Sequence, residues 1–196
     1  MPICRDINIA ELEKSILTDI EYFRQSNGGG VTFSGGEPML QIDFLSDILK
    51  ICKNNGIHTA VDTAGAVKFG DFEKILPYCD LFLYDIKAYN NDIHKKLTGI
   101  SNELILENLT KLSQTKNANI LVRIPVIAGA NTDEMPDIAE FLRDINISKC
   151  EFLPYHKLGA SKYKSLGITD AHVFDTPDDD LLNEIKDIFK RRNILC

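Results

Sequence analysis

The chain has 196 residues, 44% of them hydrophobic and 26% charged, with a formal net charge of -7. That size and balance describe one domain, residues 1–196, with ample material for a core. They exclude a transmembrane helix, which needs an apolar run of ~20 residues, and the acidic balance without a basic stripe argues against nucleic acid or an anionic membrane as partner.

The first residues show no basic-then-apolar leader, so no secretory signal is expected. The five cysteines, Cys4, Cys52, Cys79, Cys150 and Cys196, are scattered with no C-x2-C pair. This pattern reads as reduced thiols of a cytoplasmic protein. Cys52, Cys79 and Cys150 are expected in the core, and Cys4 and Cys196 at exposed ends.

Helix and strand signals alternate along the chain. Asn8, with Glu11 three residues on, caps a helix whose apolar face is Ile9, Leu12, Ile16, Ile20 and Phe23. Asn27 to Gly30 ends it and leads into a strand over 31–34. A helix bearing Phe44, Leu45, Ile48, Leu49 and Cys52 stops at Asn55-Gly56. A strand over 57–61, a short helix near 71–76, a strand over 80–87 and helices near 90–97 and 102–115 follow. Then come a strand over 119–127, a helix over 134–144 and a strand over 150–153. Residues 157–175 read as a long polar loop, and Thr176-Pro177 opens a last helix with Leu181, Leu182, Ile185 and Ile188 on one face.

Five strands separated by amphipathic helices imply βαβ crossovers and a parallel sheet. An open doubly wound sheet and a whole or partial barrel both satisfy this. The barrel is favoured because polar residues recur at the carboxyl end of strand after strand: Glu37, Asp62 with Thr63, Asp85 with Lys87, Arg123 and His156. In a parallel barrel these ends build the site, whereas an open sheet concentrates it at one switch point. Five strands are too few for a closed eight-stranded barrel.

The densest signal is Val31-Thr32-Phe33-Ser34-Gly35-Gly36-Glu37-Pro38. A strand stops at two glycines, which let backbone approach a ligand, followed by a carboxylate and a proline that fixes the turn. Such a floor suits an amino-acid head group; a plain strand and turn is the alternative. Asp85-Ile86-Lys87 places acid and base on one side of a strand. The pair reads as an ion pair or, less simply, as a Schiff-base lysine of an aldolase at Lys87. Asp62 and Thr63 could bind a cation or an amine. Arg123, inside an apolar strand, needs a carboxylate partner. His58, His94 and His172 have no metal-site spacing.

In six collinear segments the sequence resembles the radical S-adenosylmethionine (SAM) enzymes, and within them the activating enzymes of glycyl-radical enzymes, such as pyruvate formate-lyase activating enzyme. The segments are residues 29–38, 56–65, 85–87, 94–99, 123–129 and 153–159. The resemblance implies a partial (β/α) TIM-type barrel with outer helices. It implies that Ser34, Gly35, Gly36 and Glu37 hold the methionyl amine of SAM, that Asp62, Thr63 and Asp85 line the methionyl end and a monovalent-cation site, and that Lys87 faces the methionyl carboxylate. Arg123 would support that end and His156 would sit by the ribose.

For the intact family the resemblance implies reductive cleavage of SAM to a 5′-deoxyadenosyl radical, which takes a hydrogen atom from a glycine of a partner enzyme. The partner would be pyruvate formate-lyase-like or anaerobic ribonucleotide reductase-like, with reduced flavodoxin or ferredoxin as electron source. The family's first strand and its C-x3-C-x2-C loop for a [4Fe-4S] cluster have no counterpart in this sequence. The expectation is therefore a SAM-binding portion, inactive alone and without cluster ligands; a non-catalytic module that binds SAM or the partner is the alternative.

Overall fold

The computed structural model describes residues 5–26, 29–156 and 174–196. Its strands form one sheet in the order β1-β2-β3-β4-β5, defined as β1 Gly30–Phe33, β2 His58–Thr63, β3 Leu81–Asp85, β4 Ile120–Val126 and β5 Cys150–Pro154. A doubly wound sheet reverses direction at a switch point. This order never reverses, so it is the partial-barrel arrangement. By compactness the chain divides into two units, Met1–Leu83 with Lys116–Asn119, and Tyr84–Thr115 with Ile120–Cys196.

In the first unit, Asn8 Oδ1 accepts the Glu11 N–H at 3.0 Å and starts α1, Ile9–Thr18. The single helix expected over this face is broken at Asp19, and α2 runs Ile20–Gln25. Thr18 and Asp19 are weak helix formers, and the Thr18 hydroxyl donates back to the Lys14 carbonyl at 2.8 Å, which loosens the ladder there. β1 pairs in parallel with β2, Gly30 opposite His58. A Cβ on Gly30 would lie 1.9 Å from the His58 carbonyl oxygen, so the strands meet backbone to backbone.

Helix α3, Ile42–Asn54, buries Leu45, Ile48, Leu49 and Cys52, and the chain leaves it through Gly56 at φ 67°. A short α4, Phe69–Ile75, places Phe72 edge-on to Phe82 of β3 with ring centroids 5.7 Å apart. Both rings are fully buried, each stabilising by roughly 1.5–3 kcal/mol. At the base of this unit Asp80 Oδ1 accepts the Lys53 ammonium at 2.8 Å, and Oδ2 accepts the Thr59 N–H at 2.9 Å.

The second unit holds α5 Asn91–Thr98, α6 Glu103–Ser113, α7 Met135–Asp144 and α8 Asp179–Lys190. Asn90 Oδ1 caps α5 through the Asp92 and Ile93 N–H groups, at 2.9 and 3.2 Å, and Gly99 at φ 84° ends it. Strand β4 pairs in parallel with β5 from Val122 opposite Cys150 to Val126 opposite Pro154. Val122, Ile124 and Val126 are buried with Leu109, Leu112, Ile138 and Leu142.

The last helix departs from the expectation at its start. Its cap is Asp178, whose Oδ1 accepts the Leu181 N–H at 2.9 Å, two residues beyond Thr176. A carboxylate held at a helix N-terminus also gains from the helix dipole, which a threonine does not. Ile185 and Phe189 are its buried residues, and Phe189 meets Phe152 edge-on at 4.9 Å. Most of the expected loop, residues 157–173, lies outside the described residues. So does Cys4, while Cys52, Cys79 and Cys150 are buried and Cys196 is exposed.

Candidate functional site

Buried and half-buried positions alternate along the strands. In β3, Phe82 and Tyr84 are buried and Asp85 is half-buried; in β4, Val122 and Ile124 are buried and Arg123 is half-buried. The expected site residues fall into two clusters, one in each unit.

In the first unit β1 ends at Phe33, and after Ser34 the chain turns through Gly35 at φ 93° and Gly36 at φ 57°. A Cβ at either glycine would meet nothing within 4 Å. The glycines are therefore required by the backbone conformation, and the space beside them is open. Glu37 fixes the turn from its far side. Its Oε1 accepts the Met39 N–H at 3.1 Å, capping the 3-10 helix Pro38–Gln41, and the Thr63 hydroxyl at 2.9 Å. Its Oε2 accepts the Ala64 N–H at 2.9 Å. Thr63, 2% exposed, accepts the Gly65 N–H at 2.9 Å, and Ser34 donates to Asp62 Oδ2 at 2.7 Å.

The exits of β1 and β2 are thus laced together, and the loop presents peptide groups to solvent. Behind it lies a pocket of about 290 Å³ bounded by Arg5, Asp6 and Ile7 on one side and Phe33, Ser34 and Glu37 on the other.

In the second unit Asp85 Oδ1 accepts Arg123 through Nε at 3.1 Å and Nη2 at 2.9 Å, and Lys87 Nζ stands 3.7 Å from Asp85 Oδ2. The expected carboxylate partner of Arg123 is therefore Asp85. Asp85 thus carries both cations on its two oxygens. Lys87 is half-exposed and ion-paired, unlike the desolvated apolar setting that activates a nucleophilic lysine. His156 follows β5 and is exposed. A second pocket, of about 450 Å³ and more apolar, lies between α5 and the loop after β4, against Ile93, Leu97 and Phe174.

Sequence reasoning missed the support beneath Lys87. Asn131, 1% exposed, donates from Nδ2 to the carbonyls of Lys87 at 2.8 Å and Pro125 at 2.6 Å, and accepts the Ile127 N–H at 2.9 Å. Asn102 donates to the Ala88 and Tyr89 carbonyls, and Glu134 accepts the Asn90 N–H at 2.6 Å. Three buried polar side chains thus grip four consecutive residues, 87–90, by their backbone. The weak signal in sequence was Asn131 directly after Ala128-Gly129-Ala130, a small-residue turn in which an Asx bond is common.

The Radical SAM superfamily profile matches residues 9–142. The chain is 42% identical to the trans-4-hydroxy-L-proline dehydratase activating enzyme of Clostridioides difficile, over 96% of this chain and 64% of that protein. It is 40% identical to the pyruvate formate-lyase-activating enzyme of Staphylococcus epidermidis, over 92% of this chain and 75% of that protein. The chain belongs to the radical SAM superfamily, among the activating enzymes of glycyl-radical enzymes.

The crystal structure of a domain of pyruvate-formate lyase-activating enzyme from Bacteroides vulgatus agrees in fold, with a TM-score of 0.73 and 32% identity over 86% of this chain and 98% of that one. Against the dehydratase activating enzyme the chain spans less than two thirds of the relative's length. A radical SAM cluster needs three thiolates at one place. Among the described residues no group of three or more His, Cys, Asp or Glu is arranged to hold a metal ion. The described donors do not fit a [4Fe-4S] cluster. No helix among the described residues is long and apolar enough to cross a membrane.

Proposed function

We propose that this chain is the SAM-binding portion of a glycyl-radical enzyme activating enzyme. The observation that carries this is the loop Ser34–Glu37. Two glycines with positive φ stand beside open space, and a carboxylate spends its acceptors on Thr63, Ala64 and Met39 to hold them so. In this reading the methionyl ammonium of SAM is bound by peptide carbonyls of Ser34 to Gly36, with Glu37 and Asp62 supplying negative potential. Lys87 and Arg123 offer charge-assisted hydrogen bonds to the methionyl carboxylate, with Asp85 orienting both, and His156 takes the ribose.

In the intact family SAM supplies, on reduction, a 5′-deoxyadenosyl radical. The residues of this chain bind and orient it, and the radical step needs a cluster held elsewhere. The partner is a glycyl-radical enzyme, in keeping with the dehydratase and pyruvate formate-lyase named in the relatives.

Two measurements test the reading. Calorimetry with SAM is expected to show weak binding, lowered about tenfold or more by Lys87→Met. Equal affinity in the two proteins removes Lys87 from the site, and no binding at all overturns the assignment. Anaerobic reconstitution with iron and sulfide is expected to yield no site-bound [4Fe-4S] cluster and no SAM cleavage. A stoichiometric cluster with turnover contradicts the claim that this chain is inactive alone.

A further inference from the structure

The described cysteines divide sharply. Cys52 on α3 and Cys79 before β3 are buried, and burial pushes their thiols up to about 11 and about 12. Both are inert as nucleophiles. Cys150 and Cys196 differ. Their sulfurs lie 3.2 Å apart, joined by an S–H···S hydrogen bond. The backbone holds them there: Lys149 and Leu195 form a parallel bridge, the Cys150 N–H donates to the Leu195 carbonyl at 2.9 Å, and the Leu195 N–H donates to the Ser148 carbonyl at 2.9 Å. Cys150 is buried at the start of β5, and Cys196 is exposed.

We propose that Cys150 and Cys196 form a dithiol modification site that reacts with low-molecular-weight disulfides and closes to an intramolecular disulfide. Neither residue belongs to the proposed SAM site. An exposed attacking thiol beside a sheltered resolving thiol is the arrangement that makes such pairs selective.

The chemistry has two steps. The Cys196 thiolate attacks one sulfur of a disulfide RSSR, forming a protein–SR mixed disulfide and releasing RS⁻. With Cys196 in the mixed disulfide, its hydrogen bond and negative charge no longer hold the proton on Cys150, which passes it to solvent and attacks the adjacent Cys196 sulfur, expelling the second RS⁻. Two protein thiols are oxidised by two electrons, and RSSR is reduced to two RSH. The order follows from the pair itself. The hydrogen bond from Cys150, aided by Lys186, holds the Cys196 thiol below its ordinary range against the opposing effect of burial. The same bond, burial and the negative charge on Cys196 raise Cys150, so Cys196 loses its proton first.

The test treats the intact chain with oxidised glutathione without reductant, alkylates the remaining thiols and maps peptides by mass. The expected result is one cross-link, Cys150–Cys196, with Cys52 and Cys79 still alkylatable after denaturation. In Cys150→Ser the glutathione mixed disulfide is expected to persist on Cys196. In Cys196→Ser, at an exposed position that tolerates the change, the cross-link is expected to vanish while Cys150 stays unmodified. Iodoacetamide is expected to label Cys196 at least about tenfold faster than Cys52 or Cys79 in the folded chain. A stable mixed disulfide on Cys196 of the unsubstituted chain, a cross-link to Cys4, or equal labelling of all sites overturns the proposal.

Discussion

The two strand exits hold their functional groups by opposite means. At the exits of β1 and β2 an anion is spent on the chain itself: the Glu37 carboxylate takes two N–H groups and a hydroxyl, and so shapes a loop of bare peptide. At the exits of β3 and β4 the charges pair with one another, Asp85 with Arg123 and Lys87, while neutral buried amides grip the backbone below. The first arrangement makes a rigid surface of dipoles. The second makes a charged cluster whose side chains stay half-exposed on a fixed backbone.

The contrast can be broken at its strongest point first. Asn131→Ala removes three hydrogen bonds to part-buried backbone groups, and is expected to cost roughly 3 kcal/mol in urea unfolding. A loss under about 1 kcal/mol would show that water replaces the amide and that the clamp is not needed. Glu37→Ala is expected to cost roughly 2 kcal/mol, and Glu37→Gln about half that, because the amide keeps one acceptor oxygen. If Glu37→Gln melts with the unsubstituted chain, the carboxylate's second oxygen contributes nothing to the loop.

Asp85→Ala is expected to cost about 1–2 kcal/mol, since Arg123 and Asp85 are 18% and 19% exposed and water can partly replace the lost partner. A double-mutant cycle with Arg123→Ala measures the coupling, and zero coupling would dissolve the second cluster as a unit.

A smaller effect concerns pH. Burial raises the Asp80 carboxyl, but the Lys53 ammonium and the Thr59 N–H outweigh it and hold the group below its ordinary range. A carboxyl lowered in the folded state stabilises above its unfolded pKa of about 4, and that stabilisation is lost as pH falls through the lower folded value. Asp80→Asn is expected to flatten the fall in stability below about pH 4. An unaltered acid-unfolding curve refutes the Asp80 contribution.

Much of the fold was legible because the periodicities are strong: Leu45, Ile48, Leu49 and Cys52 recur at helix spacing and all four are buried. The polar strand ends were legible because a charge such as Arg123 inside an apolar strand demands a partner, and the partner is there. The break at Asp19 was hidden because apolar spacing continues through it while local hydrogen bonding does not. Asp178 was overshadowed by Thr176-Pro177, which carries a similar helix-start signal two residues earlier. The amide clamp was invisible because Asn102 and Asn131 look like ordinary turn residues. Their burial is decided by packing between segments far apart in sequence.

Gly30 carries no chemistry and has no place in the proposed SAM site. Yet any side-chain carbon there would sit 1.9 Å from the carbonyl oxygen of His58. Alanine, the mildest replacement, already overlaps peptide atoms that cannot swing aside. In a saturation library scored for folded protein, position 30 should therefore be as unforgiving as the interior residues, although it lies at the rim and looks like spare linker. The route by which the chain enters the Ser34–Glu37 loop leaves evolution no latitude at that one step.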